Sequence, residues 1–300
     1  MVVVGPDGVL GFAHMTSDEK TTALLVVGGG ALVAGLAWLV WPRSAAAATP
    51  VGAAPVPHAP TPSTHSYAPQ MEPPVAVNNA FLASAPPAGP SRERYFEAAV
   101  EAPQWSEVVL SPAVKIRVSS DVVKGGGGVR LPLWPSTAQR VADRFGAMLP
   151  TKKLSDAIWR AAAVKLTPRS MTPRAGASRD SNRLLAEHEQ LVNTQLAGRT
   201  GLIAAAKKDI IVGRTAAAHP DRVTIYGWHR SDGSVIQDPT WIHSARYGAD
   251  YSHGTRLVSR TAYLNGQPVE IESLFANPAY ASLLNESGTL TPAQLRYRTT

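Results

Sequence analysis

Residues 21–41, TTALLVVGGGALVAGLAWLVW, form an apolar run with no charged residue. Its length matches the ~20 residues a helix needs to cross a ~30 Å hydrocarbon core. Trp38 and Trp41 stand at one end, where indoles favour the membrane interface. Residues 21–43 therefore read as a transmembrane anchor behind a short N-terminal tail, 1–20. The alternative is a signal peptide cleaved in the small-residue stretch SAAAAT after Arg43, giving a secreted protein. The run is long for such a segment. Gly30 with Ala34, and Ala31 with Gly35, have the small-xxx-small spacing that lets membrane helices pair, so association through this helix is an expected contact. Lys20 and Arg43 nearly balance, but residues 44–91 contain no lysine or arginine. That bias places the C-terminal region outside the cytoplasm.

Residues 44–90 are rich in alanine and proline, and their one charge is Glu72. Proline removes backbone donors and favours extended geometry, so this segment reads as a semi-rigid spacer. It would hold a domain well away from a bilayer.

Residues 91–300 read as one folded domain. Only two of the 29 lysines and arginines, and four of the 22 acids, precede residue 91, so this region carries +9 where the whole chain carries +7. A basic surface suits an anionic partner such as a wall polymer. The bases are scattered and carry no recognition motif, so no specific nucleic-acid partner is expected. Cysteine is absent, which excludes disulfides, thiolate metal sites and a cysteine nucleophile.

Helices are expected first in this domain and mostly antiparallel strands later, an α+β class. SRERYFEAAVEA opens it as a helix. WSEVVLSPAVKIRVSSDVV and VRLPLW read as strands around the Gly125–Gly128 turn. That glycine run lacks the lysine and following helix of a phosphate loop. Ser136 with Gln139 has capping-box spacing, with Ala138, Val141, Ala142, Phe145 and Met148 on one helix face. Thr151 is placed to cap a second helix with Leu154, Ile158 and Trp159 inward. A third covers 181–197, where His188 shares a face with Leu184, Leu185, Leu191 and Val192 and reads as a core residue. DIIVG, RVTIYGW, TRLVSRTAYL and PVEIESLF read as strands, with a hairpin at Asn265-Gly266.

His229, His243 and His253 fall within 25 residues at expected strand ends, and Asp250 adds a carboxylate. Neutral imidazoles and a carboxylate are normal zinc ligands, so His229, His243, Asp250 and His253 form a candidate metal set. The step from His243 to Asp250 resembles the histidine and aspartate of the D-alanyl-D-alanine metallopeptidase pattern. No histidine follows His253, so His229 or His253 would replace that family's last ligand. Strand alternation puts Asp250 and Ser252 on one face and Tyr251 and His253 on the other, so a base for Ser252 would come from His229 or His243.

The stretch WIHSARYGADYSHGTRLV resembles the L,D-transpeptidase signature, in which a histidine is followed by S-H-G-C-x-R-L. The resemblance implies His253 as base and Arg256 as an accessory cation that holds the substrate or the loop. Thr255 follows Gly254 where the family has its cysteine, which excludes the usual transpeptidase route. YGWH and DYSHG also resemble stretches of uncharacterised bacterial exported proteins. The candidate catalytic set is thus His229, His243, Asp250, Ser252 and His253. Arg256, Trp228, Trp241 and Lys208 are candidate substrate contacts, the tryptophans as walls of a sugar or peptide groove and Lys208 for an anion. The expected function is a membrane-anchored envelope enzyme acting on peptidoglycan or a similar wall polymer, hydrolytic and using zinc if the metal set forms. The alternative is a non-catalytic anchored wall-binding or assembly protein of a phage or secretion apparatus.

Overall fold

The computed structural model describes residues 2–4, 10–12, 79–173, 178–244 and 249–299; at 2–4, 10–12 and 240–244 only the backbone is described. The chain divides into two units, Met1–Ala68 and Pro69–Thr300. In the first, β1 (Val2–Val4) pairs antiparallel with β2 (Leu10–Phe12). The apolar run 21–41 lies outside the described residues, as does the spacer up to residue 78. Among the described residues no helix is long and apolar enough to cross a membrane.

The second unit begins with α1 (Ala80–Ser84) and α2 (Pro90–Ala99). Asn79 caps α1 through its side chain, and Leu82 is buried in the core. Phe81 stacks on Tyr95 at 4.9 Å, and Tyr95 donates to the Phe81 carbonyl. The spacer expected over 44–90 therefore does not extend to residue 90. Its last residues contain a short apolar helix that the proline-rich composition masked.

Strands β3 (Trp105–Val109), β4 (Val114–Ser119), β5 (Lys124–Gly125) and β6 (Val129–Arg130) follow, with the glycine run closing the β5–β6 hairpin. Next come α3 (Pro135–Arg144), β7 (Ala147–Met148), α4 (Lys152–Ala161) and β8 (Val164–Lys165). Proline at N1 starts α3, and no side chain caps it. The expected Ser136–Gln139 box is absent because Gln139 is buried instead. Its amide donates to Asp143 and its carbonyl accepts from Tyr297 N. Gly146, at φ 59, ends the helix early, so Met148 is buried from β7 and not from a helix face. Thr151 does cap α4, accepting from Leu154 N at 3.2 Å.

Helix α5 (Asn182–Leu196) is capped by Ser181 and closed by Ala197 in the left-handed region. His188 is fully buried on it, while Leu191 is 41% exposed and leaves the expected face. β9 (Ile203–Ala204), β10 (Lys208–Ile210), α6 (Arg214–Ala218), β11 (Arg222–His229), β12 (Val235–Ser244) and β13 (His253–Gly254) come next. The chain ends through β14 (Val258–Ser259), β15 (Thr261–Leu264), β16 (Gln267–Glu270), α7 (Ile271–Ala276), α8 (Pro278–Leu284) and a 3-10 turn at Pro292–Leu295. Asn265 and Gly266 both have positive φ, as a type I′ hairpin turn requires. The strand expected for PVEIESLF stops at Glu270. Ile271, Leu274 and Phe275 are buried at helical spacing, and that apolar face selects a helix.

The class is mixed, with helices and mainly antiparallel sheets. Helices and strands interleave, because β3–β6 precede α3 and two helices follow the last strand. One sheet runs β16-β15-β4-β14-β7 with β3 also on β4. The other has the order β12-β11-β10-β13, antiparallel except for the parallel β10–β13 pair. This second sheet carries the candidate site.

Candidate functional site

The β11–β12 hairpin decides which histidines can meet. Its register pairs His229 with Val235 near the tip and His243 with Val223 at the other end. Six residues of strand at ~3.3 Å each separate Val223 from His229, so the His229 and His243 backbones stand ~20 Å apart. Two imidazoles that must both reach ~2.1 Å from one ion cannot bridge that span. Among the described residues no three His, Asp or Glu side chains are placed to hold a metal ion. The expected zinc set of His229, His243, Asp250 and His253 therefore does not fit this fold. Histidines close in sequence are sent to opposite ends of a long hairpin. The side chains of His243 and Trp241 lie outside the described residues.

His229 and His253 are further divided between two neighbourhoods. In a regular strand Tyr226 and His229, three apart, would face opposite ways. Gly227 at φ 94 and Trp228 at φ 56 break that alternation. Tyr226 and His229 both reach Asp156 Oδ1 on α4, at 2.7 and 2.9 Å. Trp228 instead packs with Leu184, Ala205 and Tyr251 and is 2% exposed, so it is a core residue and not a groove wall.

His253 lies in the DYSHG turn. Asp250 Oδ1 accepts from Ser252 N at 2.7 Å and from Ser252 Oγ at 2.6 Å, and His253 Nε2 lies 3.8 Å away. Burial pushes the Asp250 carboxyl up. His253, the two Ser252 donors and Lys208 together outweigh it and hold the group below its ordinary value. Ser252 and His253 are each 1% exposed. The Ser252 hydroxyl donates to a carboxylate, an arrangement that locks a turn. Gly254 is required by close approach: a Cβ there would lie 2.7 Å from Lys207 Cβ.

Behind the turn lies a buried ionic network. Lys207 Nζ is fully covered, 2.9 Å from Glu189 and 3.0 Å from His188 Nδ1, and donates to the Tyr251 carbonyl. Arg130 joins Glu189 to Asp121. Burial, with Lys207 and Arg130 nearby, drops His188 to about 2, so its ring stays neutral and accepts from Lys207. Removing one partner of such a network costs ~3–5 kcal/mol, because a charge is left buried alone.

Arg256, expected to face substrate, is buried. Its Nη atoms donate to the Ser119 and Ile203 carbonyls, each at 2.8 Å, and so tie β4 to β9. Lys208 remains half-buried, its Nζ 5.3 Å from the Trp228 ring centre and 3.4 Å from Gln237 Oε1. Burial lowers it, with Asp250 pulling back.

A second polar cluster lies on the α4 side. Burial pushes Asp156 up, but bonds from His229 and Tyr226 and the charge of Lys152 hold it low, so it is ionised. An ionised carboxylate only accepts, so Nε2 of His229 donates to it and Nδ1 is the nitrogen that faces away from Asp156. A Cβ built on Gly227 would stand in ordinary contact with His229 Nδ1 and Cε1, each at 3.4 Å, and His229 is 5% exposed. Trp159 stacks on the ring at 5.2 Å and fixes its plane. Asp156, Tyr226 and Trp159 are absent from the residues that the sequence singles out for a site. Asp156 reads there as an ordinary acid four residues after Lys152, and nothing local marks it as an imidazole partner. No family model, curated protein or solved structure matches the chain.

Proposed function

We propose that this chain is an envelope-anchored hydrolase of peptidoglycan or a similar anionic wall polymer, with His229 as its water-activating base. Residues 21–43 would anchor it, the proline-rich spacer would give it reach, and the basic domain would work outside the cytoplasm. The observation that carries the reading is the Asp156–His229 pair, an imidazole oriented by a carboxylate with its second nitrogen turned toward Gly227. An orienting partner on one ring nitrogen, with the other left to take a proton from water, is the arrangement general-base catalysis needs.

The test is the full chain in detergent, incubated with purified wall sacculi with and without chelator. Soluble fragments are expected, unchanged by chelator. His229→Gln should lower their rate ~10²–10⁴-fold, the usual worth of a positioned base. Full activity in His229→Gln would sink the assignment.

A second reading, a non-catalytic wall-binding or assembly module, is favoured by one feature. Asp250, Ser252 and His253 are closed on one another inside a turn. On that reading the chain sediments with sacculi and releases nothing.

A further inference from the structure

A cavity of about 300 Å³ lies at the start of α2, lined by Gly89, Pro90 and Arg92 of that turn and by Trp134, Asp180 and Ala249. Proline opens this ten-residue helix and no side chain caps it, so the positive end of the helix dipole stands at the cavity without a protein acceptor side chain. A Cβ built on Gly89 would meet nothing within 4 Å, so no described side chain closes the turn. Arg92, in the first turn, is 1% exposed, and its Cζ lies 5.5 Å from the Phe96 ring centre. Nη1 donates to the Asp180 carbonyl and, at 3.2 Å, to Asn182 Oδ1; Nη2 donates to the Ala249 carbonyl at 3.2 Å. Asp180 and Ala249 are themselves walls, so the guanidinium end of Arg92 stands at the cavity. All three acceptors are neutral oxygens, and among the described residues Nε has no hydrogen-bond partner.

Burying a charge is costly unless an opposite charge pairs with it. The two nearby carboxyl groups are engaged elsewhere: Glu93 Oε2 accepts from Trp134 N at 2.8 Å, and Asp180 Oδ1 accepts from the Ser178 hydroxyl. We propose that this cavity binds a free α-amino acid, its carboxylate held by Arg92 Nε and the first N–H groups of α2, and its ammonium by the Asp180 carboxylate. A free guanidinium donor beside a helix N-terminus favours an anion. Asp180 on the same wall repels a dianion and attracts a cation. An α-amino acid carries both charges on one carbon and meets both walls.

Size and rigidity agree with a small ligand. The volume stands at the lower end of the ~300–1,000 Å³ usual for ligand pockets. Asn182 Nδ2 donates to the Ala85 and Pro86 carbonyls at 2.8 and 3.1 Å, which fixes the loop before α2 against the start of α5. Arg92 ties α2 to the same turn through Asp180 and Asn182. The walls are thus joined without the ligand, and binding needs little ordering of them.

The experiment is equilibrium dialysis of the full chain in detergent against radiolabelled glycine, with unlabelled acetate, methylamine and inorganic phosphate as competitors. Glycine is expected to be retained, and acetate to compete ~10-fold or more weakly, because it lacks the charge-assisted bond to Asp180. Methylamine and phosphate should compete no better than acetate. Arg92→Lys removes the Nε donor and keeps the charge; it should weaken glycine ~10-fold or more. Asp180→Asn should bring glycine and acetate to nearly equal affinity while acetate binding persists. No retained label would overturn the proposal. So would acetate or phosphate competing as well as glycine, glycine binding unchanged in Arg92→Lys, or an unchanged preference in Asp180→Asn. Should Arg92→Lys fail to fold, Asp180→Asn decides, since the Asp180 side chain is only half-buried at the cavity wall.

Discussion

Glu93 shows how a single buried side chain sets a pH dependence. Its Oε2 accepts from Trp134 N at 2.8 Å, and burial, only partly opposed by Thr137, Arg92 and Arg140, pushes it up to about 7. In the unfolded chain it returns to ~4.3. Between those values the folded protein holds a proton that the unfolded chain releases, so stability falls as pH rises through 7. Glu93→Gln keeps the acceptor and removes the titration. Its stability loss between pH 5 and 8 should be smaller than wild type by up to ~3 kcal/mol, read by urea unfolding at both values. Equal loss in both proteins would show that Glu93 titrates normally. The aspartates work the other way. Asp121 and Asp250 are held low by their partners, so their contribution is complete above ~3.9 and is lost only as pH falls below it. His253 belongs to the same scale. It is buried in the turn, so His253→Ala should cost ~1–3 kcal/mol. His229→Gln should cost activity with little change in melting temperature. The reverse pattern would move the site back to DYSHG.

At the scale of elements, helix α4 carries both the cap that starts it and the acid that orients His229. Thr151 caps Leu154 N and also donates to the Leu284 carbonyl on α8. Thr151→Ala should therefore lower stability by ~0.5–2 kcal/mol and lower activity as well, since Asp156 rides on the first turns of that helix. An unchanged melt would remove the cap from the account. Strand β11 is the other deciding element. Its two positive-φ residues turn His229 toward α4 and leave Trp228 in the core behind it. The alternation rule, applied to RVTIYGWH as a regular strand, puts these side chains on the wrong faces. The fault lies in the positive φ of Gly227 and Trp228, which breaks the alternation between Tyr226 and His229.

For the whole molecule, the described residues of the second unit start at Asn79. A chain beginning there should melt as the full-length protein does. One beginning at Ser91 should lose several kcal/mol, because Leu82 and the Phe81–Tyr95 stack go with α1. Equal melts would return residues 79–90 to the spacer. The expected topology is read independently: protease added to spheroplasts should remove the basic domain and leave a membrane-bound remnant.

Much of the local structure was legible in the chain itself. Thr151 announced its helix, Asn265-Gly266 its hairpin, and the buried face of His188 its core position, because these depend on residues within one or two turns of each other. The composition likewise carried the expectation of an anchor, a spacer and a basic domain. The site did not follow from local signals. The three-histidine cluster was inferred from nearness in sequence, and a ten-residue strand carried His243 to the far end of the sheet. Asp156 and His229 stand 73 positions apart and meet only because α4 lies against the face of β11 that an irregular backbone exposes. Spacing along a chain reports periodicity within an element; which elements face each other is decided by the packing of the whole.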